Sequence, residues 1–259
     1  GYIHNGADDN ASGVAGLLEV LEATTLLPRR PRRSILFALW DGEEKGLLGS
    51  KHWLANPSVP LERVVLMINM DMIGRMREDK LEVSGTRTGY GFRELVSRHN
   101  RSTGLQIFYN WELKENSDHF PFYQQSIPIL LLHTGLHEDY HRPSDDADKV
   151  NYEGIEQVIG LGTTVLEAIA SAAARLTDSE GAGFQVGGAA AGAEVSAAGA
   201  AGAAAGAGVR PAISVATWSF VSGPRRYDIA QRVANSTGWG SCALTSRNCR
   251  LSRPPTASS

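Results

Sequence analysis

The chain has 259 residues, with 25 Lys+Arg against 28 Asp+Glu and a formal net charge of −3. That length holds one large domain, or one domain plus a tail, and so small a charge gives no general pull toward nucleic acid or an acidic membrane. No stretch approaches the ~18–20 apolar residues of a membrane-spanning helix, and both cysteines, Cys242 and Cys249, lie near the C-terminus, which excludes a disulfide-framed core and a cysteine zinc site in the main body.

The sequence opens on Gly-Tyr-Ile-His, with no initiator methionine and no basic-then-apolar leader pattern. This is the expected start of a chain whose N-terminal part is missing. From Ser12 to Leu27 the apolar residues Val14, Leu17, Leu18, Val20 and Leu21 fall near helical spacing, and Pro28 stops the run. Ser34–Trp40 is a nearly continuous apolar run, which suits a strand covered on both faces. A short helix is expected over Leu47–Ala55 and a second buried strand over Val64–Met70. Leu81–Val83 reads as a strand, Gly91–Asn100 as a helix, and Leu105–Tyr109 and Ile127–His133 as strands. Tyr152–Leu176 reads as a long amphipathic helix. This alternation predicts an α/β three-layer sandwich with a mostly parallel central sheet, whose ligands belong beyond the carboxyl ends of its strands.

Residues 1–178 form the expected catalytic domain. Residues 179–209 are nearly all Gly and Ala, a composition that cannot bury enough apolar surface to offset the entropy of ordering, so a linker is expected there. Residues 210–259 carry seven arginines, one acid and no lysine, and read as a basic, disordered tail.

Four polar clusters follow or border the predicted strands. Gly6-Ala7-Asp8-Asp9-Asn10-Ala11-Ser12-Gly13 pairs two carboxylates at a helix start, where they serve either as caps or as ligands. Asp41-Gly42-Glu43-Glu44 crowds three acids into four residues after an apolar strand, a repulsion that a solvated turn tolerates and a cation relieves. Asp71 ends the strand Val64–Met70, where it either reaches solvent or is paired. Ser117-Asp118-His119 and the segment from His133 to Asp146 hold four of the seven histidines. Together the clusters offer Asp8, Glu44, Asp71 and His141 as ligands, with Glu43 left over. A mixed carboxylate and imidazole set suits Zn²⁺ better than Ca²⁺. A shared carboxylate suits two metals about 3.5–4 Å apart, and the spare Glu43 suits a general base.

The ordered series GADDNASGVAGLLE, DGEEKGLLGS, MINMDMIGR, SDHFPF and DYHRPSDDADKV resembles the co-catalytic dizinc exopeptidases. This is the family of bacterial leucyl aminopeptidase, aminopeptidase Y and glutamate carboxypeptidase, and the resemblance runs over residues 1–176. It implies that Asp8 bridges two zinc ions and that the Asp8–Asp9 peptide is cis. Glu43 would be the general base, Glu44 and His141 the ligands of one zinc, and Asp71 a ligand of the other. Asp118 would support a ligand from behind, while Asp9, Ser117 and Tyr140 would support ligands or hold substrate. The family also carries an earlier His-x-Asp at a strand end. His4 is the one histidine ahead of Asp8 and lacks the following x-Asp, so that strand and its histidine are expected to be absent here, leaving the Asp71 zinc short of a ligand. The implied activity is that of a zinc-dependent aminopeptidase acting on peptides, secreted or periplasmic. The alternatives are an inactive truncated or non-catalytic relative and a glutaminyl cyclase-like transferase with one zinc.

Overall fold

The computed structural model describes residues 2–172 and the backbone of Ala212–Trp218. Helix α1 (Gly13–Thr25) leads into strand β1 (Ser34–Trp40), helix α2 (Leu48–Ala55) and strand β2 (Val64–Met70). Strand β3 (Lys80–Ser84), helix α3 (Phe92–His99) and strand β4 (Gln106–Asn110) follow. Helix α4 (His119–Gln124), strand β5 (Ile129–His133), helix α5 (Tyr152–Ser171) and strand β6 (Ala212–Trp218) complete the described elements. The six strands form one sheet in the order β1-β6-β2-β5-β3-β4, parallel throughout except at the β3–β5 pair.

The sandwich follows from how the strands alternate. In β2 the side chains of Leu66, Ile68 and Met70 enter one core, with Leu17 and Val20 of α1, Phe92 and Val96 of α3, and Val158, Leu161 and Val165 of α5. Met67 points the other way, into a second core with Trp40, Phe122 and Ile129 that α2 and α4 cover, and Val64 joins that core because the register of β2 shifts between Val64 and Met67. In that second core Trp53 stacks on Phe122 with ring centroids 5.6 Å apart. The long helix α5 starts at a cap: the Asn151 side chain accepts from the Gly154 amide at 2.9 Å and donates to the Met76 carbonyl at 3.0 Å. Asn151→Ala is expected to lower stability by about 0.5–2 kcal/mol, read by urea unfolding.

Two expectations need correction. β1 was expected to be covered on both faces, yet only Trp40 is buried and Leu39 is 56% exposed. The cause is position: among the described residues β1 lies at one end of the sheet and pairs with β6 alone. The stretch 210–259 was expected to stand outside the fold, yet Ala212–Trp218 pairs in parallel with β1 on one side and β2 on the other. The segment AISVATW carries β-branched residues at Ile213, Val215 and Thr217, a composition that suits a strand. The basic residues around it hide that signal. The linker 179–209, the cysteines and the rest of the basic stretch lie outside the described residues. No helix among the described residues is long and apolar enough to cross a membrane.

Because β1, β6, β2 and β5 run the same way, β1, β2 and β5 deliver their following loops to one edge of the sheet. Glu43, Glu44 and Asp71 leave from that edge, and so does the loop from Thr134 to Asp146.

Candidate metal centre

The turn Ala7–Ser12 carries the first acids. Gly6 enters it at φ 58°, a left-handed conformation that glycine adopts without penalty, and Asp9 and Asn10 leave helical geometry. The cis peptide lies between Asp9 and Asn10. The Asn10 side chain pins the turn to the end of β2: it accepts from the amides of Gly13 (3.0 Å) and Met72 (3.1 Å) and donates to the Met70 carbonyl (3.1 Å). A β-carbon at Gly13 would strike both the Asn10 side chain and that carbonyl, so the close approach needs glycine.

This backbone turns the two neighbouring aspartates to different sides. Asp8 points inward and is fully buried. Its Oδ1 accepts from the Gly74 amide at 2.6 Å and the Ser12 hydroxyl at 3.0 Å, and its Oδ2 lies 3.1 Å from His137 Nε2. Asp9 points to the strand edge, with its Oδ2 3.1 Å from His141 Nε2. The same His141 nitrogen lies 2.8 Å from Glu44 Oε1. One donor atom each from Asp9, Glu44 and His141 falls within a 4.8 Å group, and this is the one such cluster found among the described residues. Tyr140 stacks on the His141 ring at 3.7 Å between centroids. His141 itself sits at φ 57°, a strained backbone of the kind that collects at functional sites.

Glu43 and Glu44 stand on a single turn of 3₁₀ helix just after β1. Burial pushes the Glu43 carboxyl up to about 9, helped by the charges of Asp71, Glu44, Asp118 and Asp9. Asp9 is pushed up to about 8, first by burial and then by Asp71 and Glu44. Asp71 is raised to about 6 by burial, against a hydrogen bond from Ser117 that favours its charged form. Ser117 also accepts from Asn69 Nδ2 at 2.6 Å. Beneath them Asp118 is buried, bonded by the Ser50 hydroxyl, and raised to about 7, mainly by desolvation.

The structure therefore groups Glu44 and His141 with Asp9 rather than Asp8, with Glu43 and Asp71 outside that group but near enough for their charges to act on it. Asp8, expected as the bridging ligand, is spent on internal hydrogen bonds, and Asp9 takes the exposed side. The cis bond shifts by one residue in the same direction. Ser117 is buried and bonded to Asp71 and Asn69, and Asp118 is buried and bonded by the Ser50 hydroxyl. His4 is exposed and is not part of the group. Sequence reasoning missed Asn10, Asn69, Ser50 and Asp145, which hold the site from behind. Each is an ordinary polar residue inside one of the quoted motifs, and only its burial marks it.

Residues 1–165 match the profile of peptidase family M28. The chain belongs to that family. Aminopeptidase YwaD of Bacillus subtilis is 31% identical over 175 residues, which cover 63% of this chain and 38% of that protein. Leupeptin-inactivating enzyme 1 of Streptomyces exfoliatus is 29% identical over 145 residues, covering 56% and 32%. Among solved structures, an aminopeptidase from Aneurinibacillus sp. strain AM-1 aligns with a TM-score of 0.53 and 26% identity over 67% of this chain and 42% of that one. BSAP, a zinc aminopeptidase from Bacillus subtilis, aligns with a TM-score of 0.55 over 68% and 45%, and at 23% identity it speaks for the fold alone. This M28 chain thus spans only about a third to two fifths of the length of the two curated relatives named.

The side chains present would fit a zinc ion. Burial first, and then the charges of neighbouring acids, push Asp9, Glu43 and Asp71 toward their protonated forms, and a dication among them would favour their charged forms. Two carboxylates and one imidazole meeting at one point form the nitrogen-and-oxygen set that zinc accepts while leaving a position open.

Proposed function

We propose that this chain carries the metal-binding part of a zinc exopeptidase that removes N-terminal residues from peptides. The observation that supports this reading is the meeting of Asp9, Glu44 and His141 with Glu43 beside them at the carboxyl edge of a parallel sheet. Asp9, Glu44 and His141 hold the first ion, and Asp71 lies close enough to sense Glu44 and His141 and serves as a donor to a second. Zinc bound there supplies a Lewis acid that polarises the peptide carbonyl and acidifies water. Glu43 takes the proton of the attacking water and delivers it to the departing amine. The half-buried Tyr140 keeps the His141 ring in place by stacking on it.

A second reading rests on one observation. No histidine stands beside Asp71 in a metal-binding group among the described residues. On this reading the chain by itself holds a single ion. Native mass spectrometry of the zinc-loaded chain separates the two: two ions per chain support the co-catalytic peptidase, and one supports the single-ion site. No retained ion contradicts both. Secretion or export to the periplasm belongs to the same proposal, since acting on peptides outside the cell suits such an enzyme. Detection of the protein only in the cytosolic fraction would contradict it.

The raised carboxyls give a pH prediction. In the metal-free protein Asp9 and Glu43 keep protons up to about 8 and 9, whereas the unfolded chain has released them. The folded state therefore binds more protons, and stability falls as pH rises. His119 and His133, lowered by burial, oppose this only below the ordinary histidine range. Between pH 7 and 9 the melting temperature in EDTA is expected to fall, and zinc is expected to flatten the slope. A melting temperature that rises across that window in EDTA contradicts the assignment.

A further inference from the structure

The donors of the site come from separate loops, and two side chains outside the ligand set tie three of those loops together. Asp145 is 1% exposed. Its Oδ2 accepts from the backbone amides of both Asp8 and Asp9 at 3.0 Å, and its carbonyl accepts from the Ala7 amide at 3.0 Å. Three consecutive amides of the turn that presents Asp9 thus end on one residue, four positions after His141. Its other oxygen, Oδ1, faces Arg75 Nη1 at 3.6 Å. Arg75 follows Asp71 by four residues, and its Nη2 donates to Asp139 Oδ2 at 2.9 Å, two residues before His141. Asp139 is fixed further by the Ser144 hydroxyl at 2.6 Å and by Lys149 at 2.7 Å.

We propose that Arg75 and Asp145 are positioning residues that set the Asp9 carboxylate against His141 and Glu44, and so set the affinity of the site for zinc. The inference rests on the metal-binding reading above. The physical case is one of connectivity. A turn whose first three amides hang on Asp145 cannot shift without giving up bonds in a water-poor interior, and leaving such donors unpaired is costly. The guanidinium compensates the buried charge that Asp145 would otherwise place near Asp9, and it anchors the loop after Asp71 to the same frame. Groups that orient ligands in this way typically carry 10–100-fold in metal affinity.

The test uses the full chain. Zinc affinity is measured by competition with a chromophoric chelator, and the visible spectrum of the cobalt form reports the ligand geometry. Asp145→Ala is expected to weaken zinc binding 10–100-fold and to alter the cobalt spectrum. Asp145→Asn, which keeps one acceptor for both amides, is expected to restore affinity to within about fivefold. Thr88→Ala, which removes a buried hydroxyl bonded to Ile129 at the start of β5, the sheet edge opposite these loops, is expected to lower stability and leave zinc affinity unchanged. Amide hydrogen exchange of the metal-free proteins gives a readout independent of zinc: protection of the Asp8 and Asp9 amides, which bond the Asp145 side chain, is expected to be lost in Asp145→Ala and kept in the other two. The positioning role is overturned if Asp145→Ala binds zinc within threefold of the parent, if Thr88→Ala weakens zinc as much, or if exchange at residues 8 and 9 does not change. Should the parent itself bind no zinc, the metal reading falls, and the exchange result still decides whether Asp145 holds the turn.

Discussion

Glu43→Gln is expected to lower turnover of a chromogenic amino-acid anilide by about 10²–10⁴-fold while zinc content stays at the parental value. The substitution keeps the size of the side chain and removes its ability to take a proton. Four neighbouring acids surround Glu43, so in the metal-free protein it is held in its protonated form at neutral pH, where it cannot act as a base. Positive charge in the group formed by Asp9, Glu44 and His141 lowers that burden and frees Glu43 for proton transfer. Loss of metal and loss of the base are thus different failures. Zinc analysis beside the rate separates them, and turnover within tenfold of the parent removes Glu43 from the role.

Asp9→Ala is expected to weaken zinc binding by more than the 10–100-fold that an outer supporting residue costs, because it removes a donor outright. Asp8→Asn is the matched comparison. Its Oδ1 still accepts from Gly74 and Ser12, and its new amide faces His137. Zinc affinity is therefore expected to stay within about tenfold, with the effect appearing in stability instead. The reverse pattern, with Asp8→Asn losing zinc and Asp9→Ala keeping it, would return the ligand role to Asp8. Affinity measured on the two variants in one buffer decides between neighbours that differ by one position.

That one-residue shift shows how far the sequence could be read. The motifs located every loop of the site, because crowded acids after apolar strands have few stable uses. Which of two adjacent aspartates faces the ion depends on the backbone between Gly6 and Gly13. That path is set by Asn10 bonding to Met70 and Met72, about sixty residues away. Spacing along the chain holds no trace of such a contact. Strands β2 and β5 were legible because they are central and nearly all apolar, whereas the exposure of β1 follows from its place at the end of the sheet. Strand β6 was hidden by its neighbourhood: a long Gly/Ala stretch and a run of arginines gave the segment AISVATW the look of a tail. Asp145 went unmarked for a similar reason, since its burial beneath the turn, not its identity, makes it a clamp.

The convergence of Asp9, Glu44 and His141 is tested most directly by a zinc-edge anomalous diffraction map of crystals of the zinc-loaded chain. The account predicts a peak within about 2.0–2.2 Å of a carboxylate oxygen of Asp9, a carboxylate oxygen of Glu44 and an imidazole nitrogen of His141. A peak held by Asp8 and His137 instead, or a fully loaded crystal with no peak beside His141, would contradict it.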